Sequence, residues 1–318
     1  VRGADDQYRV VVDEDSLDWR GRTDITLVDA VDDLADLLEP LTTGKQVALM
    51  DHAYDVECWE SVRLFELFYT RDTHVPRDSR VRLATLLDKC HLVRPEEDDL
   101  PQYVEVGGSI AERSFGFCHA LALVSTGRAM SCLIASPEMK IAGWTKVRRE
   151  RDTEDLDIHL LTAPAQLPEF WRGVMRRDRV PESLFFAMAT RAFPGLIFAE
   201  SLSFGRFKGS HEDVLPWLID LLAKINDHFA SSIARHRGDR NKVIQEFATH
   251  GVAISPESPL THKDNQAWGQ RLVTHEGESY RCEWHGKRVW DRDRVHFSLP
   301  IEKYQNRVLI GIFVDHLD

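Results

Sequence analysis

The sequence predicts an α+β protein with a mixed N-terminal domain, a helical section and a C-terminal four-stranded antiparallel sheet. Three observations lead there. The chain has 318 residues, beyond the size at which one hydrophobic core stops growing, so two domains are expected. Charge is divided unevenly: residues 1–200 hold 24 Lys and Arg against 36 Asp and Glu, and residues 201–318 hold 16 of each, so the net −12 belongs to the first part. The apolar period changes from 3.6 to 2 near residue 270. The expected domains are therefore 1–200, an acidic α/β domain suited to regulation or to docking a partner, and 201–318, helices followed by the sheet.

The elements follow in chain order. Leu27, Val31, Leu34, Leu37 and Leu38 recur at helical spacing, and residues 46–50 (QVALM) read as a short buried strand. Residues 58–69 and 81–90 again show the helical period. The apolar runs 117–124 and 129–135 flank Ser125-Thr126-Gly127-Arg128, which predicts a hairpin. A strand is expected at 157–161, helices at 167–175 and 181–193, and extended chain at 196–198. Val214, Trp217, Leu218, Leu221, Leu222, Ile225 and Phe229 define one buried face of a long helix. Residues 243–248 form a second helix, stopped by Gly251. Ser255-Pro256-Glu257-Ser258-Pro259 reads as a linker. Strands are then expected near 271–275, 279–288, 294–299 and 307–316, joined by short turns as a meander.

Composition narrows the function classes. Apolar residues make up 43% and charged residues 29%, the balance of a globular chain. No apolar run approaches the ~18 residues of a membrane span. Five Cys without a CxxC pair argue against a disulfide scaffold or a cysteine zinc site, and a reducing cytoplasm is the expected location. An acidic body disfavours nonspecific wrapping of nucleic acid, although the neutral C-terminal part can carry a local basic patch. Neither GxGxxG nor GxxxxGK[ST] occurs.

The candidate site comes from strand alternation. Glu283, His285 and Lys287 share one face of the second strand, and Arg294 and His296 share the matching face of the third. Arg292 adjoins them from the turn. Two imidazoles can move protons near neutral pH, while Lys287, Arg292 and Arg294 can hold phosphate. This set suits metal-free cleavage of RNA, with His285 and His296 as acid and base and Glu283 orienting a neighbour or acting as base. A sheet with one exposed face always shows polar residues, and solvation or cross-strand pairing accounts for them equally well. Trp284 and Trp290 are placed to stack bases or to pack. Asp51 with His52 at the end of the QVALM strand, Cys118-His119, and Asp155, Asp157 and His159 are weaker positions, read as a helix-start turn, buried core and a solvated face. No metal site and no cofactor are expected.

The segments Cys282-Glu283-Trp284-His285-Gly286-Lys287, Asp293-Arg294-Val295-His296-Phe297 and 308–317 (VLIGIFVDHL) resemble the C-terminal sheet of RelE-type ribonuclease toxins and their barnase-like relatives. That resemblance covers about the last 50 residues. It implies a sheet whose concave face binds and cuts RNA without metal, preceded by helices that residues 212–250 supply. The acidic N-terminal extension departs from the family. As a whole the chain also resembles uncharacterised bacterial proteins of defence islands and toxin–antitoxin loci. The resemblance implies RNA as one partner and a protein partner or antitoxin as another. The alternative is a noncatalytic subunit whose sheet binds a nucleic acid or a protein.

Overall fold

Three consecutive valines form β1 (Val10–Val12), and none of them is exposed. A strand that is apolar on both faces belongs inside a parallel sheet covered by helices. The computed structural model, which describes residues 8–42, 46–70, 73–96, 100–135, 140–289 and 292–315, places it there. The protein is α/β, with a mixed eight-stranded sheet and a mostly antiparallel five-stranded sheet. The chain divides into two compact units, Val1–Gly173 and Val174–Asp318.

In the first unit, α1 (Asp24–Thr42) leads from β1 to β2 (Val47–Met50). A small hairpin, β3 (Glu57–Trp59) and β4 (Val62–Arg63), precedes α2 (Leu64–Tyr69) and α3 (Arg77–Leu87), and β5 (His91–Val93) follows. Next come β6 (Gln102–Val106), β7 (Ser109–Arg113), α4 (Phe115–Ser125), β8 (Ser131–Leu133), β9 (Gly143–Arg149), β10 (Leu156–Leu161) and α5 (Leu167–Arg177). The sheet order is β5-β2-β1-β8-β10-β9-β6-β7. Its first five strands run parallel, and β9, β6 and β7 complete it antiparallel. Successive strands are laid down on one side of β1 as far as β5. The chain then crosses to the far edge for β6 and β7 before α4 leads back to β8 beside β1, so the winding reverses between β1 and β8.

Two expectations are corrected here. The run 117–124 is helical, not one arm of a hairpin: α4 is apolar nearly all round, and Ser114 caps it by accepting from the Phe117 N–H. A helix buried on most sides cannot be told from a strand by periodicity. Residues 58–69 are likewise a hairpin plus a short helix rather than one helix.

The second unit contains α6 (Glu182–Ala192), β11 (Leu196–Phe198) and α7 (His211–Lys224). A π-helical turn at Ile225–Phe229 joins α7 to α8 (Ala230–Arg235), and α9 (Arg240–Thr249) follows. Leu221 and Ile225 are buried as expected, whereas Trp217 is only half-buried. The remaining elements are β12 (Ile254–Pro256), α10 (Pro259–Lys263), α11 (Asn265–Gly269), β13 (Leu272–His275), β14 (Glu278–Arg281), β15 (Trp284–Val289), β16 (Arg292–Ile301) and β17 (Arg307–Val314). The five-stranded order is β11-β17-β16-β15-β12, with β11 parallel to β17 and every other pair antiparallel.

The single four-stranded meander is therefore replaced by two sheets. β13 and β14 pair only with each other, around Glu276 and Gly277 at positive φ. The expected long strand 279–288 breaks at Cys282 and Glu283, and its halves join different sheets. The SPESP stretch is no linker: Ser255 and Pro256 lie in β12, Glu257 is buried, and Ser258 caps α10. The turn residues Trp290 and Asp291 lie outside the described residues.

One face of the five-stranded sheet packs on the helices. The Phe229 ring lies edge-on to Trp284 and Phe297, at 5.3 and 5.0 Å between centroids. Gly286 lies so close to Leu221 that a Cβ there would come within 2.5 Å of its side chain. The opposite face carries the polar residues.

Candidate functional site

Strand register builds a polar row across that face. Ser255 on β12 lies opposite His285 on β15, and His285 lies opposite His296 on β16. The next pair along is Lys287 opposite Arg294. The two imidazole rings are 5.1 Å apart. Both are buried, His285 at 5% exposure and His296 at 0%.

What covers them is Glu257, which follows β12 directly and is held by its own N–H donating to the Glu283 carbonyl at 2.7 Å. Its Oε1 lies 3.5 Å from His285 Nδ1 and 3.2 Å from His296 Nδ1. The same oxygen accepts from Arg271 Nε at 3.2 Å. Arg271 is buried as well, and its Nη1 donates to the Ala267 carbonyl. On the far side of His285, Nε2 meets Ser255 Oγ at 3.1 Å.

Burial pushes the His285 imidazole below its usual pKa and drives His296 down to about 4. Burial also pushes Glu257 upward, but the two imidazoles beside it outweigh that and leave its carboxyl well below the usual range. At neutral pH the cluster therefore holds a carboxylate, a guanidinium and two neutral imidazoles. Among the described residues, Glu257, His285 and His296 are the group whose ligating atoms converge closely enough to hold a metal ion, all lying within 4.8 Å of one another.

The other expected residues fall as follows. Lys287 and Arg294 are half-exposed neighbours, and Lys287 is pushed below its usual pKa by burial and then by Arg294. Arg292 is exposed at the start of β16. Glu283 turns elsewhere, 3.5 Å from Arg240 on α9, so it neither orients a histidine nor joins the cluster. Asp293, at positive φ and fully buried, accepts from the Lys208 N–H and from Arg288. Glu257, Arg271 and Ser255 carry no signal in the sequence that would have placed them here. A Ser/Pro-rich stretch reads as a break, and no local spacing tells that its one carboxylate folds inward.

No family model, curated protein or solved structure matches this chain.

The first unit has a candidate position of its own. Ligands of open α/β sheets bind beyond the carboxyl ends of the strands, where the winding reverses. Here that is the end of β1, where Asp13 begins a 3₁₀ turn over Glu14–Leu17. A cavity of about 1030 Å³ opens there, lined by Asp13, Asp15, Asp18, Arg20, Arg113 and Lys140 among others. Asp13 is buried and pushed up to about 7 by desolvation and then by Asp15. Glu14 accepts from the Gly116 N–H through one oxygen and lies 3.2 Å from His52 through the other. Asp51 lies 3.9 Å from the other nitrogen of His52 and 3.4 Å from Arg94 Nε.

Proposed function

We propose that the C-terminal unit is the RNA-contacting part of a bacterial toxin–antitoxin or phage-defence effector acting in the cytoplasm. In this reading it holds phosphate on Lys287, Arg292 and Arg294, and it binds rather than cuts. The observation that carries the reading is the Lys287–Arg294 pair, two like charges directly opposite on adjacent strands. Two cations this close can meet one phosphate together, Lys287 as a point charge and Arg294 as a planar guanidinium. Resemblance of the strands to ribonuclease toxins supports RNA as the ligand. Burial of both imidazoles favours binding over the cleavage first expected, because a proton-transfer group must come within hydrogen-bond reach of the ribose and His296 is fully enclosed.

The test is binding of a labelled single-stranded RNA at several salt concentrations. Removing both cations in Lys287→Ala/Arg294→Ala should weaken binding. It should also reduce the salt slope by about 0.7, the amount that the one single-strand phosphate held between the two cations accounts for. An unchanged slope would rule this surface out. Metal-independent cleavage leaving a 2′,3′-cyclic phosphate, and abolished in His285→Ala, would restore the catalytic reading. Equal affinity for DNA of the same sequence would remove RNA as the specific ligand.

A further inference from the structure

We propose that Glu257, His285 and His296 form a binding site for one tetrahedral transition-metal ion, with Zn²⁺ the best fit to their chemistry. Such a site is independent of what Lys287 and Arg294 bind.

Donor type points to zinc first. Two imidazole nitrogens and one carboxylate oxygen form a set that zinc accepts, whereas Mg²⁺ and Ca²⁺ require oxygen. Spacing agrees. Zinc bonds of ~2.0–2.1 Å at tetrahedral angles separate the ligand atoms by about 3.4 Å. The two His–Glu distances are 3.2 and 3.5 Å, at and just beyond the upper end of the ~2.7–3.2 Å range of an N–H···O bond.

Direction adds an independent observation. Among the described residues neither Nδ1 makes a well-aligned hydrogen bond, although both lie close to Glu257 Oε1, and His296 Nε2 makes none either; all three atoms are buried. Buried polar side-chain atoms are nearly always satisfied. Two orphaned nitrogens facing one carboxylate oxygen, close to it but off the hydrogen-bond line, are arranged as ligands around a point between them.

The surroundings fit as well. Metal-binding histidines engage their second nitrogen with an oriented polar group, which fixes the tautomer; among the described residues His285 does so and His296 does not. If Ser255 Oγ accepts from His285 Nε2, the Nδ1 lone pair is left free to bind metal. Arg271 holds the carboxylate from behind. With Arg271 included, the loaded site carries two net positive charges, the same as a zinc held by three neutral histidines. Three protein ligands leave one position for a solvent oxygen. The ion would fasten the segment that starts at Glu257 to the middle of the sheet.

The test uses the full chain, stripped with a chelator and titrated with ZnCl₂ by calorimetry, with the bound ion counted by elemental analysis. The expected result is one Zn²⁺ per chain and a higher melting temperature. Co²⁺ in its place should give the intense visible bands of a tetrahedral site, which a loosely held octahedral ion does not. His296→Gln, which keeps a polar side chain of similar reach, should lower affinity on the order of 100-fold or more, and Ser255→Ala by ~10-fold. Circular dichroism of the metal-free variants should match the wild type. The stacked pair His228 and His250, 4.1 Å between ring centroids, is the competing site, so His250→Ala should leave binding unchanged. Substoichiometric zinc, an octahedral Co²⁺ spectrum, or loss of binding in His250→Ala but not in His296→Gln would each overturn the proposal.

Discussion

Asp13 in the first unit and Glu257 in the second are both buried carboxyl groups, at 1% and 6% exposure, yet their acidities shift in opposite directions. Desolvation pushes both upward. Around Asp13 the neighbouring charges are themselves acids, Asp15 and Glu14, and the hydrogen bonds from Ser114 and the Asp15 N–H offset only part of the effect. Beside Glu257 lie two imidazoles and its ion-pair partner Arg271 instead, and the balance reverses. Burial alone therefore does not say what a carboxyl does. Asp13 is poised near its own midpoint at neutral pH, as groups that exchange protons with ligands are, whereas Glu257 is a permanent anion that organises cations and donors.

The largest effect should come from Glu257→Ala. It leaves the Arg271 guanidinium buried without its carboxylate, and breaking a buried pair in this way costs ~3–5 kcal/mol. Urea denaturation of the metal-free protein measures it, and a loss under ~1 kcal/mol would mean that water already solvates Arg271. Asp13→Asn tests the other side. Asp13 binds its proton more tightly folded than unfolded, so its contribution is complete below pH 3.8 and is lost as pH rises through about 7. The slope in that window approaches ~1.4 kcal/mol per pH unit. The Asn variant should show a flatter stability–pH curve there, and an identical curve would mean that Asp13 is ionised in the folded protein. Ser114→Ala removes both a hydrogen bond to Asp13 and the cap of α4. It should cost ~1 kcal/mol and move the Asp13 midpoint further up, which the same pH series reads. Glu283→Ala should have the smallest effect, below ~1 kcal/mol, since its partner Arg240 is about half exposed and 3.5 Å away. A loss as large as that of Glu257→Ala would return Glu283 to the site.

The two units also differ in how far their sequences disclose them. Alternation along 283–287 and 294–298 places His285, Lys287, Arg294 and His296 by local rules, because side-chain direction in a strand depends only on parity. Burial of that face is not local. It depends on Glu257 and Arg271 arriving from 28 and 14 positions before His285, through a stretch whose prolines resemble a linker. In the first unit, β1, β5 and β8 are three residues long, too short for any period to register. Only the helices between them announce a parallel sheet, and α4, the one that leads into β8, reads as a strand because it lacks a polar side. The reversal point, and with it the role of Asp13, follows from strand order, which no window of sequence contains.

The five-stranded sheet ends on both sides in strands of three residues, β11 and β12. The outer one of the pair at the His285 side finishes in Pro256, which has no N–H to offer a further strand. Short borders with a proline are how natural sheets avoid being extended by another chain. An inhibitor peptide that inserts as an extra strand, a recurring way to cap an open sheet, finds little backbone to pair with here. Any chain that reaches this border must instead grip side chains, and the exposed Arg292 with the half-exposed Lys287 presents cations that an acidic surface would meet.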